Sequence, residues 1–508
     1  MEGIRRALAV SILSRGWAAA LSLLAVPIYL RYLGVEAYGI IGLIASFSAL
    51  VSFLDFGLGA TLIRELTRLN GEAKALSRGR DVTRTFEVAY AAIAVLIGCV
   101  IAVSASPVAY AWLQVDALDR GVVAQALILA GVALSCQWPT NLYSAGLAGV
   151  HRQAQLGVAT MVFATLRFAL SLAAVAWVPT LASFFIAQVI AAAFQSLGLR
   201  WLLWRAIVLP GHRPAVRGET IRTSLRFAGG MTGIALTSIV LTQADKVILS
   251  RALPLPEYGV YVVAGMLATG LYMLISPAFS VIYPRFSALM HQQDGTAVGQ
   301  LFHVGSQAMA ALVMPVAGVV AAFAPEVLYV WTGDALPDGM GAQVLAFLIL
   351  GNAFNGIMNM PYALQLAAGW TQLALYVNLV AIAVLMPALW WAALHLGAVG
   401  AAAVWAVLNF CYIVFTPQIM HRRLLPDEKY RWYGVDVLLP AASCAVVLML
   451  LHQLSLSGLS RMALALVLVS FWLFTAGVTV VVLPQLRVRV WRSVRAWIAR
   501  RHVGHYLG

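Results

Sequence analysis

The side chains here that could do chemistry stand at helical spacing inside stretches that are otherwise apolar. Arg15 lies four residues after Ser11 and seven before Ser22; Thr160, Arg167 and Ser171 are spaced alike, as are Ser48, Ser52 and Asp55. Side chains three, four or seven residues apart share one face of a helix, so each set draws a polar stripe. Ser238, Thr242 and Asp245 form another, followed at once by Lys246, and Asn352, Asn355 and Asn359 precede Pro361. Arginine presents a fixed fork of donors suited to an anion, carboxylates suit a proton or metal cation, and amides serve as donor and acceptor together.

Each stripe admits two readings. Arg15 either offers positive charge to an anionic cargo or pairs with Asp55 on a neighbouring segment and fixes helix packing. Arg167 has no acidic residue in its own segment, which favours the cargo reading. Asp245 and Lys246 are adjacent and point in different directions on a helix, poorly placed to neutralise each other. They are either snorkelling residues near the external end of a helix or contacts for the cargo. Asn352, Asn355 and Asn359 line a cavity or knit helices together. His303 is alone of its kind within an apolar segment, and such a histidine is more commonly packed or capped than a proton carrier. Gly57 and Gly59 do not make a phosphate loop, since no Lys-Ser/Thr follows. No zinc spacing or nucleophile elbow occurs, and nothing in the sequence points to catalysis.

The elements that must position these residues follow from composition. Of 508 residues 62% are hydrophobic and 10% charged, more apolar surface than a soluble domain hides. Crossing a bilayer takes about 20 apolar residues. Fourteen such segments are expected, centred near residues 19, 50, 97, 133, 168, 192, 238, 270, 315, 354, 383, 408, 443 and 473. The net charge of +14 does not imply nucleic acid, because the basic residues mark one side of a membrane. With the N-terminus cytoplasmic, external loops hold Arg31, Arg120, Arg251 and Arg461, and the spans hold Arg15, Arg167, Arg200 and Lys246; every other Lys and Arg falls inside. The tail carrying Arg487, Arg489, Arg492, Arg495, Arg500 and Arg501 then meets anionic headgroups. Arg5 and Arg6 ahead of an apolar run do not mark a cleaved signal, since Arg15 interrupts the run and hydrophobicity continues to Leu30. Cys99, Cys136, Cys411 and Cys444 sit in spans at unrelated spacings and read as packing residues.

The chain also repeats itself. "RYLGVEAYGI" (31–40) returns as "RALPLPEYGV" (251–260), "PVAYAWLQVDAL" (107–118) as "PEVLYVWTGDAL" (325–336), and Ala148-Gly149 as Ala368-Gly369. The offsets agree to within two residues, so a unit of six spans is duplicated. An even number of spans makes the copies parallel, the arrangement of transporters that rock two bundles about a central cleft. The expectation is an all-α polytopic membrane protein of about fourteen helices. It comprises a six-helix lobe at 1–208, a linker at 209–226, a second lobe at 227–420, two further helices at 421–484, and a basic tail at 485–508.

Several stretches in order, "YLGVEAYGIIGL", "LDFGLGATLIRE", "ADKVILSRALPLPEYGVYVVAG", "SPAFSVIYPRFSAL", "FAPEVLYVWTG" and "GAVGAAAVWAVLN", resemble the polysaccharide transporters of the MOP (multidrug, oligosaccharidyl-lipid, polysaccharide) exporter superfamily, including Wzx-type flippases. The resemblance covers most of the chain. It implies a bacterial inner-membrane flippase that carries an undecaprenyl-pyrophosphate-linked glycan to the periplasmic leaflet, with a cationic cavity for pyrophosphate and sugars. Arg15 and Arg167 fit that role by chemistry. Asp55 in "LDFG" and Asp245-Lys246 in "ADKVIL" match family-like positions and suit structure or gating, or coupling to a proton or sodium ion. Partners on this reading are the lipid-linked glycan, membrane lipids and the polysaccharide polymerase machinery, with no nucleic acid and no bound cofactor or metal. The rival within the fold is a MATE-type cation-coupled multidrug exporter, which expects acidic residues deep in its cavity. A sugar polymerase or ligase expects a larger external loop than any here.

Overall fold

The computed structural model describes residues 2–68, 73–216, 218, 232–336 and 339–489. Linker residues 219–226 and the arginines beyond Arg489 lie outside them. Among the described residues eleven helices are long and apolar enough to cross a membrane. The first helix, α1 (Glu2–Val51), has 50 residues, about 75 Å at 1.5 Å per residue, against roughly 30 Å of hydrocarbon. It breaks at Gly34, whose φ of 82° and ψ of 168° lie in a region open essentially to glycine alone. The 54-residue helix α14 (Thr371–Leu424) breaks in the same way at Gly397, φ 62° and ψ −153°. Counting each helix divided at these glycines as two and adding helix Thr232–Ala252, which is not one of the eleven, gives a number among the described residues consistent with about fourteen.

Between α1 and α14 run α2 (Leu58–Thr67), α3 (Ala73–Pro107), α4 (Arg120–Gln137), α5 (Thr140–Gly149), α6 (Gln153–Trp177), α7 (Leu181–Ala206), α8 (Thr232–Ala252), α9 (Leu255–Thr269), α10 (Tyr272–His291), α11 (Gly295–Ala322), α12 (Ala324–Thr332) and α13 (Met340–Ala367); α15 (Leu439–Leu451) and α16 (Arg461–Val482) follow. Their starts are legible as caps that satisfy otherwise orphaned N–H groups. Asp119 accepts from Gly121 and Val122, Thr180 from Ser183, Asp294 from Ala297 and Ser460 from Ala463.

The chain divides into two compact units, Met1–Val262 and Val263–Gly508. In the first, α1 packs along α6, α4 along α7, and α3 against α4. The repeated motif explains itself here, because its two copies touch. A Cβ on Gly39 would sit 3.1 Å from the Leu255 carbonyl oxygen and 3.3 Å from Gly259 Cα, and a Cβ on Gly259 would sit 2.1 Å from the Val35 carbonyl oxygen. Each copy lacks a side chain where the other's backbone passes. A polar strap binds the same region: Leu255 N–H donates to the Gln114 carbonyl at 2.8 Å, Trp112 Nε1 to Ser250 Oγ at 3.0 Å, and Arg251 to the Ala111 carbonyl. Glu36 accepts from three successive backbone N–H groups, those of Asp116, Ala117 and Leu118, at 2.8, 3.1 and 3.2 Å.

In the second unit α13 packs along α14 and against α11. Val319 and Phe323 at the end of α11 form an apolar cluster with Leu448 of α15 and Leu464, Leu468 and Phe471 of α16, which seats the last two helices.

Candidate functional site

The three arginines expected within spans, Arg15, Arg167 and Arg200, all fall in the first unit, and the structure gives each a different setting. Arg200, on α7, is committed to a carboxylate. Its Nε lies 2.5 Å from Glu87 Oε1, and Glu87 also takes Arg84 Nη1 at 2.6 Å, Tyr143 Oη at 2.9 Å and Trp204 Nε1 at 3.3 Å. That hub ties α3, α5 and α7 together. Nothing in the amino-acid order singles out Glu87, which sits among the charged residues that precede an apolar run and reads as loop.

Arg167 is held otherwise. It projects from the middle of α6, half-buried, with Nη2 3.1 Å from Gln195 Oε1 on α7 and Nη1 3.4 Å from Gln137 Oε1 at the end of α4. One helical turn on, buried Ser171 accepts from Gln188 Nε2 at 3.1 Å. Tyr29 of α1, buried and in edge contact with Phe184, borders the same group. Among the described residues no carboxylate pairs with Arg167. The guanidinium has five donors, and two neutral amide oxygens orient it without cancelling its charge. In a low-dielectric surrounding such a charge attracts an anion far more strongly than in water. Gln137, Gln188 and Gln195 were missed by sequence reasoning, and the only signal was amides at turn spacing in apolar helices.

Arg15 is exposed on α1. Among the described residues no ion pair joins it to Asp55, whose carboxylate accepts from Tyr90 Oη and from Gly59 N–H at 3.3 Å. Asp55 closes a short 3-10 turn, Ser52–Asp55, and Gly57 follows in a left-handed conformation, so the two glycines mark a broken passage rather than a continuous helix. Asp245 and Lys246 do neutralise each other, contrary to the sequence expectation. The flexible lysine stem curls back so that Nζ lies 3.2 Å from both Asp245 oxygens and 3.0 Å from the Thr242 carbonyl. Tyr261 Oη donates to the remaining face of Asp245 at 2.7 Å.

The three asparagines meet helix neighbours. Asn352 Oδ1 accepts from Trp405 Nε1 at 2.9 Å, Asn355 accepts from Tyr272 Oη at 3.0 Å and donates to Asn409 at 2.9 Å, and Asn359 donates to the Asn355 carbonyl at 2.9 Å. They join α13 to α10 and α14.

With this geometry in hand, comparison with known proteins is decisive at the level of family. Residues 4–290 match the family described as Polysaccharide biosynthesis protein. The chain belongs to the polysaccharide biosynthesis protein family. By sequence, no curated protein matches it. In structure it is similar to the lipid II flippase MurJ in an inward closed conformation, with a TM-score of 0.70 at 11% identity over 92% of this chain and 97% of that one. It is also similar to an inward-facing multidrug resistance MATE family transporter of the MOP superfamily, TM-score 0.64 at 15% identity over 80% and 95%. The Vibrio cholerae MATE transporter VcmN gives 0.57 at 16% over 84% and 98%. This member of the polysaccharide biosynthesis protein family therefore has the MOP-superfamily fold and is a multi-pass membrane protein.

Proposed function

We propose that this chain is a flippase that moves an undecaprenyl-pyrophosphate-linked oligosaccharide, the repeat unit of an O-antigen, capsule or exopolysaccharide, from the cytoplasmic to the periplasmic leaflet of a bacterial inner membrane by alternating access. Both termini are cytoplasmic on this reading, and the polysaccharide polymerase is the downstream partner. The observation that carries it is Arg167, a charged group in the span region held in place by Gln137 and Gln195 with its charge uncancelled. A pyrophosphate is the complement of such a group. Arg15 supplies a second positive charge on α1, exposed and not committed to Asp55.

Direction has a physical reason. An anion moving outward from an inside-negative cell gains about 2.3 kcal/mol per uncompensated charge for each 100 mV. The cationic group argues against the rival multidrug exporter, whose cationic cargo it would repel.

The test is flipping by the purified chain in proteoliposomes containing fluorescent undecaprenyl-pyrophosphate oligosaccharide. Wild type should expose the sugar on the opposite leaflet, and Arg167→Ala should reduce the rate at least tenfold while inserting normally. Transport of a cationic dye without movement of the lipid-linked sugar would replace the reading with the multidrug one.

A further inference from the structure

The best-partnered buried histidine belongs to the second unit. His303 projects from α11 and is fully buried. Its Nδ1 meets Asp436 Oδ2, and its Nε2 is 2.8 Å from Glu428 Oε2. A neutral imidazole has one N–H and one lone pair. Whichever tautomer it took, one ring nitrogen would present a lone pair to a carboxylate oxygen. The contacts are satisfied together only when the three groups hold one proton beyond a neutral ring and two carboxylates.

The two carboxylates differ in access. Asp436 is 1% exposed, and its other oxygen accepts from Gln307 Nε2 at 2.8 Å, while Gln307 Oε1 accepts from the Gln485 backbone at 3.0 Å. Glu428 keeps 32% of its side chain exposed, with Arg431 Nη1 at 3.7 Å. Asp436 is the fixed, dry end and Glu428 the wet end. Near the cluster, Ser306 on α11 accepts from Trp432 Nε1 at 3.1 Å, and the titratable His421 on α14 lies against Phe302 and Trp432. Lys429 and Arg431 are the nearby cations, on the short helix Lys429–Arg431.

The segment that carries both carboxylates is irregular: a 3-10 turn at Pro426–Glu428, then a π-helical run at Trp432–Leu438. Such π turns concentrate at functional positions and can shift register locally.

We infer that His303, Asp436 and Glu428 form a proton-binding site, loaded through Glu428, and that flipping is coupled to it. The coupling rests on the transport reading above, whereas the proton site stands without it. In loading, a proton from solvent reaches the Glu428 carboxylate and passes to Nε2 while Nδ1–H continues to donate to Asp436. In release, Nε2–H returns its proton to Glu428 and then to solvent, leaving a neutral ring whose bare Nε2 repels the ionised Glu428. The 3-10 turn then loosens from α11 while Asp436 stays seated.

The test uses the full chain in nanodiscs with nitrogen-15-labelled histidine. At pH 8 one ring should show both nitrogens protonated, and that signal should vanish in His303→Gln and lose its second proton in Glu428→Gln, a change at the partly exposed end that leaves the buried Asp436 contact intact. Neutral rings at all 9 histidines in wild type at pH 8 would overturn the proton site. In proteoliposomes with the lipid-linked oligosaccharide, an imposed proton gradient should change the wild-type rate at least fivefold and the Glu428→Gln rate less than twofold. A doubly protonated ring with flipping indifferent to the gradient would overturn the coupling. No flipping by wild type under any gradient would overturn the transport reading and with it the coupling, and the ring signal would still decide the site.

Discussion

Gly259 lies so close to the backbone of Val35 that a Cβ added to it would stand 2.1 Å from the Val35 carbonyl oxygen. The obstacle is main chain and cannot rotate away. Gly259→Ala should cost about 1–3 kcal/mol through forced separation of the two helical segments, seen as a lower midpoint in detergent thermal unfolding. Gly39→Ala, with its nearest atom at 3.1 Å, should cost less.

Arg167 and Arg200, with different partners, should fail differently. Arg167→Ala should leave expression and thermal midpoint near wild type and lower the flipping rate at least tenfold. Arg200→Ala leaves Glu87 short of its main partner and should lower the midpoint, an effect of about 1–3 kcal/mol. Glu87→Gln in the same chain should restore part of that stability without altering the Arg167 phenotype. A midpoint unchanged by Arg200→Ala would remove Glu87 as a structural hub.

Glu36 should prove to be a loop anchor. Glu36→Gln keeps one acceptor oxygen for three N–H donors and loses the charge that strengthens such bonds. Hydrogen exchange at Asp116, Ala117 and Leu118 should rise at least tenfold, with exchange in α4 unchanged.

Glycines on the same helix should diverge by conformation. Gly34→Ala forces a side chain into a glycine-only region and should cost about 1–3 kcal/mol. Gly16 is helical, and a Cβ placed on it would find nothing within 4 Å; it should accept alanine with a gain of up to about 1 kcal/mol. Detergent thermal midpoints of the two variants, compared side by side, decide this.

Much of the architecture was open to sequence reasoning because the bilayer imposes it. Fourteen passages follow from the length of apolar runs, and the paired echoes at an offset near 220 put Tyr38-Gly39 and Tyr258-Gly259 in corresponding places before any contact was known. The contact itself was not legible, since nothing in a sequence states that two glycines face each other. Side-chain pairing was less readable still. Adjacent residues on a helix point apart, which is why Asp245 and Lys246 were expected to stay unpaired; four methylenes let the ammonium return to its neighbour's carboxylate. Glu87 and Glu428 escaped notice because they flank spans, where acidic residues ordinarily meet water. His303 looked solitary because its partners lie 125 and 133 residues later.

The grip of Glu36 on residues 116–118 also orders events at the ribosome. Both partners lie within the first quarter of the chain, so this clasp can shut long before the second copy of the motif is made. The seat that Gly39 offers must wait for Gly259, more than two hundred residues later, and until then it is bare helix in lipid. Biogenesis thus runs in two acts, with the nascent chain sealing its own first hairpins before its second copy arrives to fill the gap.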